Sequence, residues 1–163
     1  MMSIDNPIPK DLTFHQFSFS MNYGKNAKTV WDTLQKRETF CRGQLPPWRV
    51  VFESGKTSGT FEKGELSIHH GPMLSAHGVI AEINDNYRDL VYGYGSYALS
   101  YRLIRPYRLQ FFRHDERIEL KFDVYTPKWF RPIWNGLSFI FWPQFFLNLK
   151  LIGWIKGFSK SST

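Results

Sequence analysis

The stretch Arg117-Ile-Glu-Leu-Lys-Phe-Asp-Val-Tyr125 is followed, after Thr126-Pro127, by Pro132-Ile-Trp-Asn-Gly-Leu-Ser-Phe-Ile-Phe-Trp-Pro-Gln-Phe-Phe-Leu-Asn-Leu149. In the first, Ile118, Leu120, Phe122 and Val124 alternate with Arg117, Glu119, Lys121 and Asp123, the period of a strand with one buried face. The second runs for 18 residues without a charge, and ten aromatics fall between Trp129 and Phe158. A half-buried strand leading into a long apolar helical segment, residues 127–160, predicts a sheet packed on a C-terminal helix. Length alone would admit a marginal membrane span. Asn135, Gly136, Ser138, Pro143, Gln144 and Asn148 weaken that reading, because each lowers the transfer free energy of the segment. Pro143 should kink the helix or start a second one, since it lacks an N–H and clashes with the preceding turn.

Working back from this pair, residues 48–125 alternate repeatedly between Gly, Pro, Asn and Asp breaks, which reads as an antiparallel meander. Its strands are Trp48–Glu53, Thr60–His70, Ser75–Ile83, Asp89 to about Ile104 with a break at Gly93 and Gly95, Arg108–Arg113 and Arg117–Tyr125. Gly64 suggests a bulge in the second of them. Before the meander, Phe17, Phe19 and Met21 share one parity of a first strand, Thr13–Asn22. Asn26 is the expected N-cap of a helix carrying Ala27, Val30, Trp31 and Leu34 to about Lys36. A second short helical piece at Glu38–Arg42 ends before Gly43 and Pro46-Pro47. Residues 1–12 form a Pro-containing leader without an apolar signal-like run. Residues 13–163 are expected to make one domain of the α+β class, with about seven strands and one or two short helices after the first strand.

Composition narrows the class. With 15 Phe, 8 Tyr and 6 Trp, the chain has enough apolar surface to order itself, which excludes a disordered protein. The single Cys41 excludes an intrachain disulfide scaffold, favours a reducing, cytoplasmic setting, and reads as a structural thiol. A formal net charge of +7 favours phosphates, acidic surfaces or anionic lipid.

This order of elements, together with Phe17, Phe19, Met21, Asn26-Ala27 and the Val30-Trp31-x-x-Leu34 helix, resembles the START-like SRPBCC superfamily, over about residues 14–158. Lys28 stands where many members carry proline, and the C-terminal segment is more aromatic than usual. The resemblance implies a helix-grip fold, a curved antiparallel sheet wrapped around the long helix with an apolar cavity between them. It implies binding or transport of a hydrophobic small molecule or lipid there. Some members catalyse cyclisation or dehydration in that cavity and many only carry, so fold does not choose between them.

The inward parity is expected to comprise Trp48, Val50 and Phe52; Leu66, Ile68 and His70; His77, Val79, Ala81 and Ile83; Val91, Tyr97, Leu99, Tyr101 and Leu103; Leu109 and Phe111; and Ile118, Leu120, Phe122 and Val124. His70 and His77 flank the tight Gly71–Leu74 connection and could serve an enzyme as acid and base. Tyr97 and Tyr101 could orient a ligand's polar group, with Leu66, Ile68, Val79, Phe111, Phe122, Trp134 and Phe141 as apolar walls. No metal is expected, because His69-His70 and His77 lack a Cys pair or a His-Glu-x-x-His helix. No cofactor is implied, since Gly93-Tyr94-Gly95 lacks the third glycine and following helix of a phosphate loop. Arg102, Arg105, Arg108, Arg113 and Arg117 interleave with aromatics, yet those at 102, 108 and 113 alternate outward, which disfavours nucleic acid. The same charges, with Lys128, Arg131, Lys150, Lys156 and Lys160 flanking the apolar segment, suit a peripheral site on an anionic membrane surface. Three readings follow: a carrier of a hydrophobic ligand, a cyclase- or dehydratase-type enzyme using the histidines, and a module that docks on a membrane or protein. Oligomeric state is left open.

Overall fold

The computed structural model describes residues 8–41, 49–93, 95–100 and 102–160, with side chains to 151. In chain order the elements are β1 (Thr13–Asn22), one 3₁₀ turn (Gly24–Asn26), α1 (Ala27–Leu34), α2 (Arg37–Cys41), β2 (Arg49–Phe52), β3 (Leu66–Gly71), β4 (Leu74–Ile83), β5 (Tyr87–Tyr92), β6 (Tyr97–Ala98), β7 (Arg105–Arg113), β8 (Arg117–Thr126) and α3 (Arg131–Lys160). Eight strands form one antiparallel sheet in the order β1-β8-β7-β5-β4-β3-β2, with β6 paired to the start of β4. The strand β1 pairs with β8 from Thr13↔Thr126 to Asn22↔Arg117, so the first and last strands lie side by side. That pairing starts α3 beside the β1 edge of the sheet, and its rings pack across the concave face.

Three local expectations change. The Gly64 position lies in a turn before β3, at φ +84, rather than in a bulge, and Gly64 N–H donates to the Ile80 carbonyl at 2.7 Å. The bulge is in β4, where register shifts between Ile80 and Glu82. Asn26 precedes α1 but its side chain caps nothing, because its backbone is already right-handed helical after the 3₁₀ turn; Asn22 Oδ1 instead accepts from Gly24 N–H at 2.7 Å. The helix α3 passes through Pro143 as one element. A proline there forgoes the bond to the Phe139 carbonyl, on an exposed residue where water can solvate it. The break foreseen at Gly93 and Gly95 is present and separates β5 from β6. Trp48, Gly43 and Pro46-Pro47 lie outside the described residues.

The concave face is packed by ring on ring. Phe146 of α3 is fully buried and meets Phe19, Tyr23 and Phe111, with centroids 5.3, 6.4 and 6.4 Å away. Trp142 meets Phe111 and Phe122 edge to face, and Trp134 meets Phe122. Two polar ties fix the helix to this surface. The Tyr23 hydroxyl donates to the Phe146 carbonyl at 2.9 Å, and buried His15 hydrogen-bonds Asn135 Oδ1 at 2.6 Å. His15 is thus a clamp between β1 and α3, a role its place at a strand start did not suggest.

The expected inward parity holds on β2, β7 and β8, where Val50, Phe52, Leu109, Phe111, Ile118, Leu120, Phe122 and Val124 are buried. It is reversed on β3, on β4 as far as Ile80 and on β5, whereas past the register shift Ile83 pairs with Arg88 and packs on the core as expected. Ser67 and His69, Ala76, Gly78 and Ile80, and Arg88, Leu90 and Tyr92 face the interior. Leu66, Ile68, Val79 and Val91 fall on the outer face, with Leu66↔Val79 and Val79↔Val91 paired across strands. Branched side chains suit a pleated surface whether or not it is covered, so on these strands they mark strand propensity and not burial. At Gly78 the missing side chain makes room for Leu90: a Cβ there would stand 2.8 Å from Leu90 Cδ1.

Candidate functional site

The interior that α3 does not fill lies between α2, β2, β3, β4, β5 and β7. Phe40, Val50, Phe52, Phe61, Ile80, Leu90, Leu109 and Phe111 give it apolar walls, and Ser67, His69 and Arg88 are its polar groups. The remaining space is about 30 Å³, enough for one or two waters. A larger groove of about 360 Å³ beside Glu53, Lys56, Glu62 and Glu65 is open to solvent. Lys56, Glu62 and Glu65 of this groove are tied up in Arg37–Glu65, Arg37–Glu62 and Lys56–Glu62 pairs.

Arg88 dominates the inner site. Only 4% of it is exposed. Its guanidinium carbon lies 4.6 Å from the Phe111 ring centre, 4.7 Å from Phe61 and 5.2 Å from Phe40, a cation held by three π faces. One nitrogen, Nη1, donates to the Leu34 carbonyl at 2.6 Å and lies 3.5 Å from Gln35 Oε1. Leu34 ends α1, so the cation meets the negative end of that helix. Burial pushes the guanidinium down to about 9, opposed by Tyr92, so it stays charged at neutral pH. Among the described residues no carboxylate pairs with it. Gln35 Nε2 is buried next to it and has no hydrogen-bond partner.

His69 sits deep on β3 with part of its surface open to the cavity. Its ring meets Tyr92 edge to face at 5.8 Å, and its Nε2 is 3.4 Å from Ser67 Oγ. Burial, then the charge of Arg88, then His70 hold its imidazole down at about 4, so at neutral pH it is an uncharged donor and acceptor. Burial also raises the Tyr92 phenol well above its usual range. An unfolded chain takes up this proton below about pH 6.5, whereas the folded one does so only near 4. The stability tied to His69 is therefore complete above about pH 6.5 and lost as pH falls toward 4, by about 2–3 kcal/mol. Urea unfolding at both ends of that window should show His69→Phe losing correspondingly less stability on acidification; an unchanged loss would count against this burial.

The residues singled out from sequence separate into three groups. Phe111, Phe122 and Trp134 face the interior between sheet and helix. Leu66, Ile68, Val79 and His70 lie on the outer face, as does His77, which is opposite Ile68 and has its ring near Gly93 and Gly95 of the β5–β6 loop. Tyr97 is on the short β6, half-buried, and Phe141 is largely exposed on α3 against Trp142 and Phe145. Tyr101 lies outside the described residues. Among the described residues no cluster of His, Cys, Asp and Glu is built to hold a metal ion. Arg108, read as an outward charge, pairs bidentately with Asp89 at 2.8 and 2.7 Å. Arg105, by contrast, is buried. Sequence reading passed over Arg88, Ser67 and Gln35, and weighed His69 only as a metal ligand. The available signal was that Arg88, Leu90 and Tyr92 share one parity, yet starting the strand at Asp89 removed the arginine from view.

No family model matches the sequence, and no curated protein gives a significant match. Similar folds occur among solved structures. Ara h 8.0201 aligns with TM-score 0.55 and 11% identity over 86% of this chain and 98% of its own. A truncated norcoclaurine synthase from Thalictrum flavum aligns with TM-score 0.57 and 8% identity over 90% and 97%. The same enzyme in complex with dopamine and hydroxybenzaldehyde aligns with TM-score 0.55 and 10% identity over 93% and 92%. With the sheet order, the first-and-last strand pairing and the helix laid across the concave face, these likenesses show the architecture: the chain has a helix-grip fold, a curved antiparallel sheet packed on a long C-terminal helix.

Proposed function

We propose that this domain binds a hydrophobic small molecule or lipid between its sheet and helices, and loads or unloads it at an anionic membrane surface. The observation that carries the binding reading is the apolar, ring-lined interior with a residual cavity at its polar centre. The cavity is small, so an occupant has to displace side chains such as Phe40 and Phe61. The fold relative crystallised with dopamine and hydroxybenzaldehyde supports the coarse property of taking small organic molecules. Acid–base chemistry by His70 and His77 would require a ligand on the outer face, where the sheet is not covered by α3. Native mass spectrometry of protein purified from its own cells should detect a retained lipophilic molecule or uptake of an added one; a protein that never takes one contradicts the reading.

The membrane part rests on α3. Opposite its buried Ser138, Trp142, Phe146 and Leu149 runs a stripe of Ile133, Leu137, Ile140, Leu147 and Leu151, broken by Gln144. Ile140 is 70% exposed. Exposed Lys128, Arg131 and Lys150 border it, and no acidic residue follows Asp123. Two copies of such a helix would bring cation against cation, whereas an interface of anionic headgroups over acyl chains complements both features. Among the described residues no helix is long and apolar enough to cross a membrane, so the helix would lie on the surface. The full chain should float with phosphatidylglycerol vesicles more than with phosphatidylcholine ones. Ile140→Glu with Leu147→Glu, both on the exposed face, should abolish flotation without changing the circular dichroism. Flotation unaltered by the pair, or absent from the start, rejects membrane docking, and a change in mass by light scattering would favour self-association instead.

A further inference from the structure

The buried arginine specifies the ligand more closely. We propose that the interior takes an apolar monocarboxylate, its carboxylate held by Arg88 with Gln35 Nε2 as a second donor and its body against Phe40, Phe52 and Phe61. This rests on the reading that the interior binds a hydrophobic ligand.

Three observations converge. The first is a contrast among the arginines. Arg37 is matched by Glu65 and Glu62, and Arg108 by both oxygens of Asp89. Arg88 is as deeply buried as Arg37, yet its described hydrogen bonds all leave from Nη1 and end on neutral oxygens. A guanidinium has five N–H donors in a fork that fits a carboxylate, so Nε and Nη2 have bonds to offer. The second is Gln35, whose Oε1 faces Nη1 while its Nε2 is buried without a partner. An unmet donor beside an unmatched cation is what an acceptor-only anion would satisfy. The third is space: the remaining volume of about 30 Å³ touches Arg88, His69 and Ser67 and is about the size of a headgroup of two oxygens. Among the described residues lining the cavity Arg88 is the one cation, which favours a monoanion over a phosphate dianion, and His69, neutral at this pH, adds no further charge. The aromatic surroundings demand that the remainder of the ligand be apolar.

The test compares decanoate with 1-decanol on the full chain by calorimetry at neutral pH. The two probes share an alkyl chain and differ in the head. Wild-type protein should prefer the acid by about tenfold or more, the effect of one charge-assisted fork. Arg88→Met should lose that preference while still binding 1-decanol, Arg88→Lys should keep part of it, and Gln35→Leu should weaken decanoate alone. If Arg88→Met does not fold, the wild-type comparison and Gln35→Leu still decide. Equal affinity for acid and alcohol in the wild type, or an undiminished preference in Arg88→Met, overturns the assignment and leaves apolar binding intact. Binding of neither probe overturns both.

Discussion

Replacing Arg37 by alanine should lower the unfolding free energy by about 3–5 kcal/mol, because it leaves a buried carboxylate without its cation. The Arg37 side chain is 3% exposed and that of Glu65 5%. Arg37 Nε and Nη2 donate to the two Glu65 oxygens at 2.7 and 2.9 Å, and Nη1 donates to the Ser58 carbonyl at 3.0 Å. Around this pair the chain from β2 to β3 is folded back onto α2. Arg37 N–H reaches the Gly59 carbonyl and Phe61 N–H reaches that of Gln35. The pair therefore places Phe61 over Arg88 as well as stabilising the domain. The double variant Arg37→Met with Glu65→Leu should recover most of the loss, since it removes both charges together. Urea unfolding of the two singles and the double measures the coupling. A loss below about 1 kcal/mol in Arg37→Ala would show that solvent screens the pair.

Phe111→Ala should cost about 3–5 kcal/mol, the usual penalty for emptying a buried ring site. Phe111 is 1% exposed, stacks on Phe146, meets Trp142 edge to face and lies 4.6 Å below the Arg88 guanidinium. The hole would join the existing cavity and enlarge it to accommodate a small ring. Phenol, apolar on one side and able to hydrogen-bond on the other, should then raise the melting temperature of the variant while leaving the wild type unmoved. If phenol gives no shift and the loss is near 1 kcal/mol, the neighbouring rings have collapsed into the space and the site is less rigid than its packing indicates. The neighbour Phe112 points outward against Tyr87 and Lys121, which makes it a natural control for side-chain loss without cavity formation.

The sequence by itself determined the architecture. Alternation in β1 and β8 is clean because one face of each is covered by α3 and the other is wet, and the charge-free run after Thr126 had no way to be buried except against that sheet. The break at Gly93 and Gly95 and the β3–β4 turn were readable from their glycines and proline. The interior of the other half was not readable, because there the rule linking apolar residues to burial runs backwards. Ser67, His69 and Arg88 point in, while Leu66, Ile68, Val79 and Val91 point out. A polar residue is buried when a partner from a distant element meets it, and such partners are fixed by packing. Arg88 is tolerated inside only because the end of α1, Phe40 of α2, Phe61 before β3 and Phe111 of β7 converge on it from four separate parts of the chain. Local periodicity carries no information about that convergence, so the fold could be read from the chain, and the site had to wait for the tertiary structure.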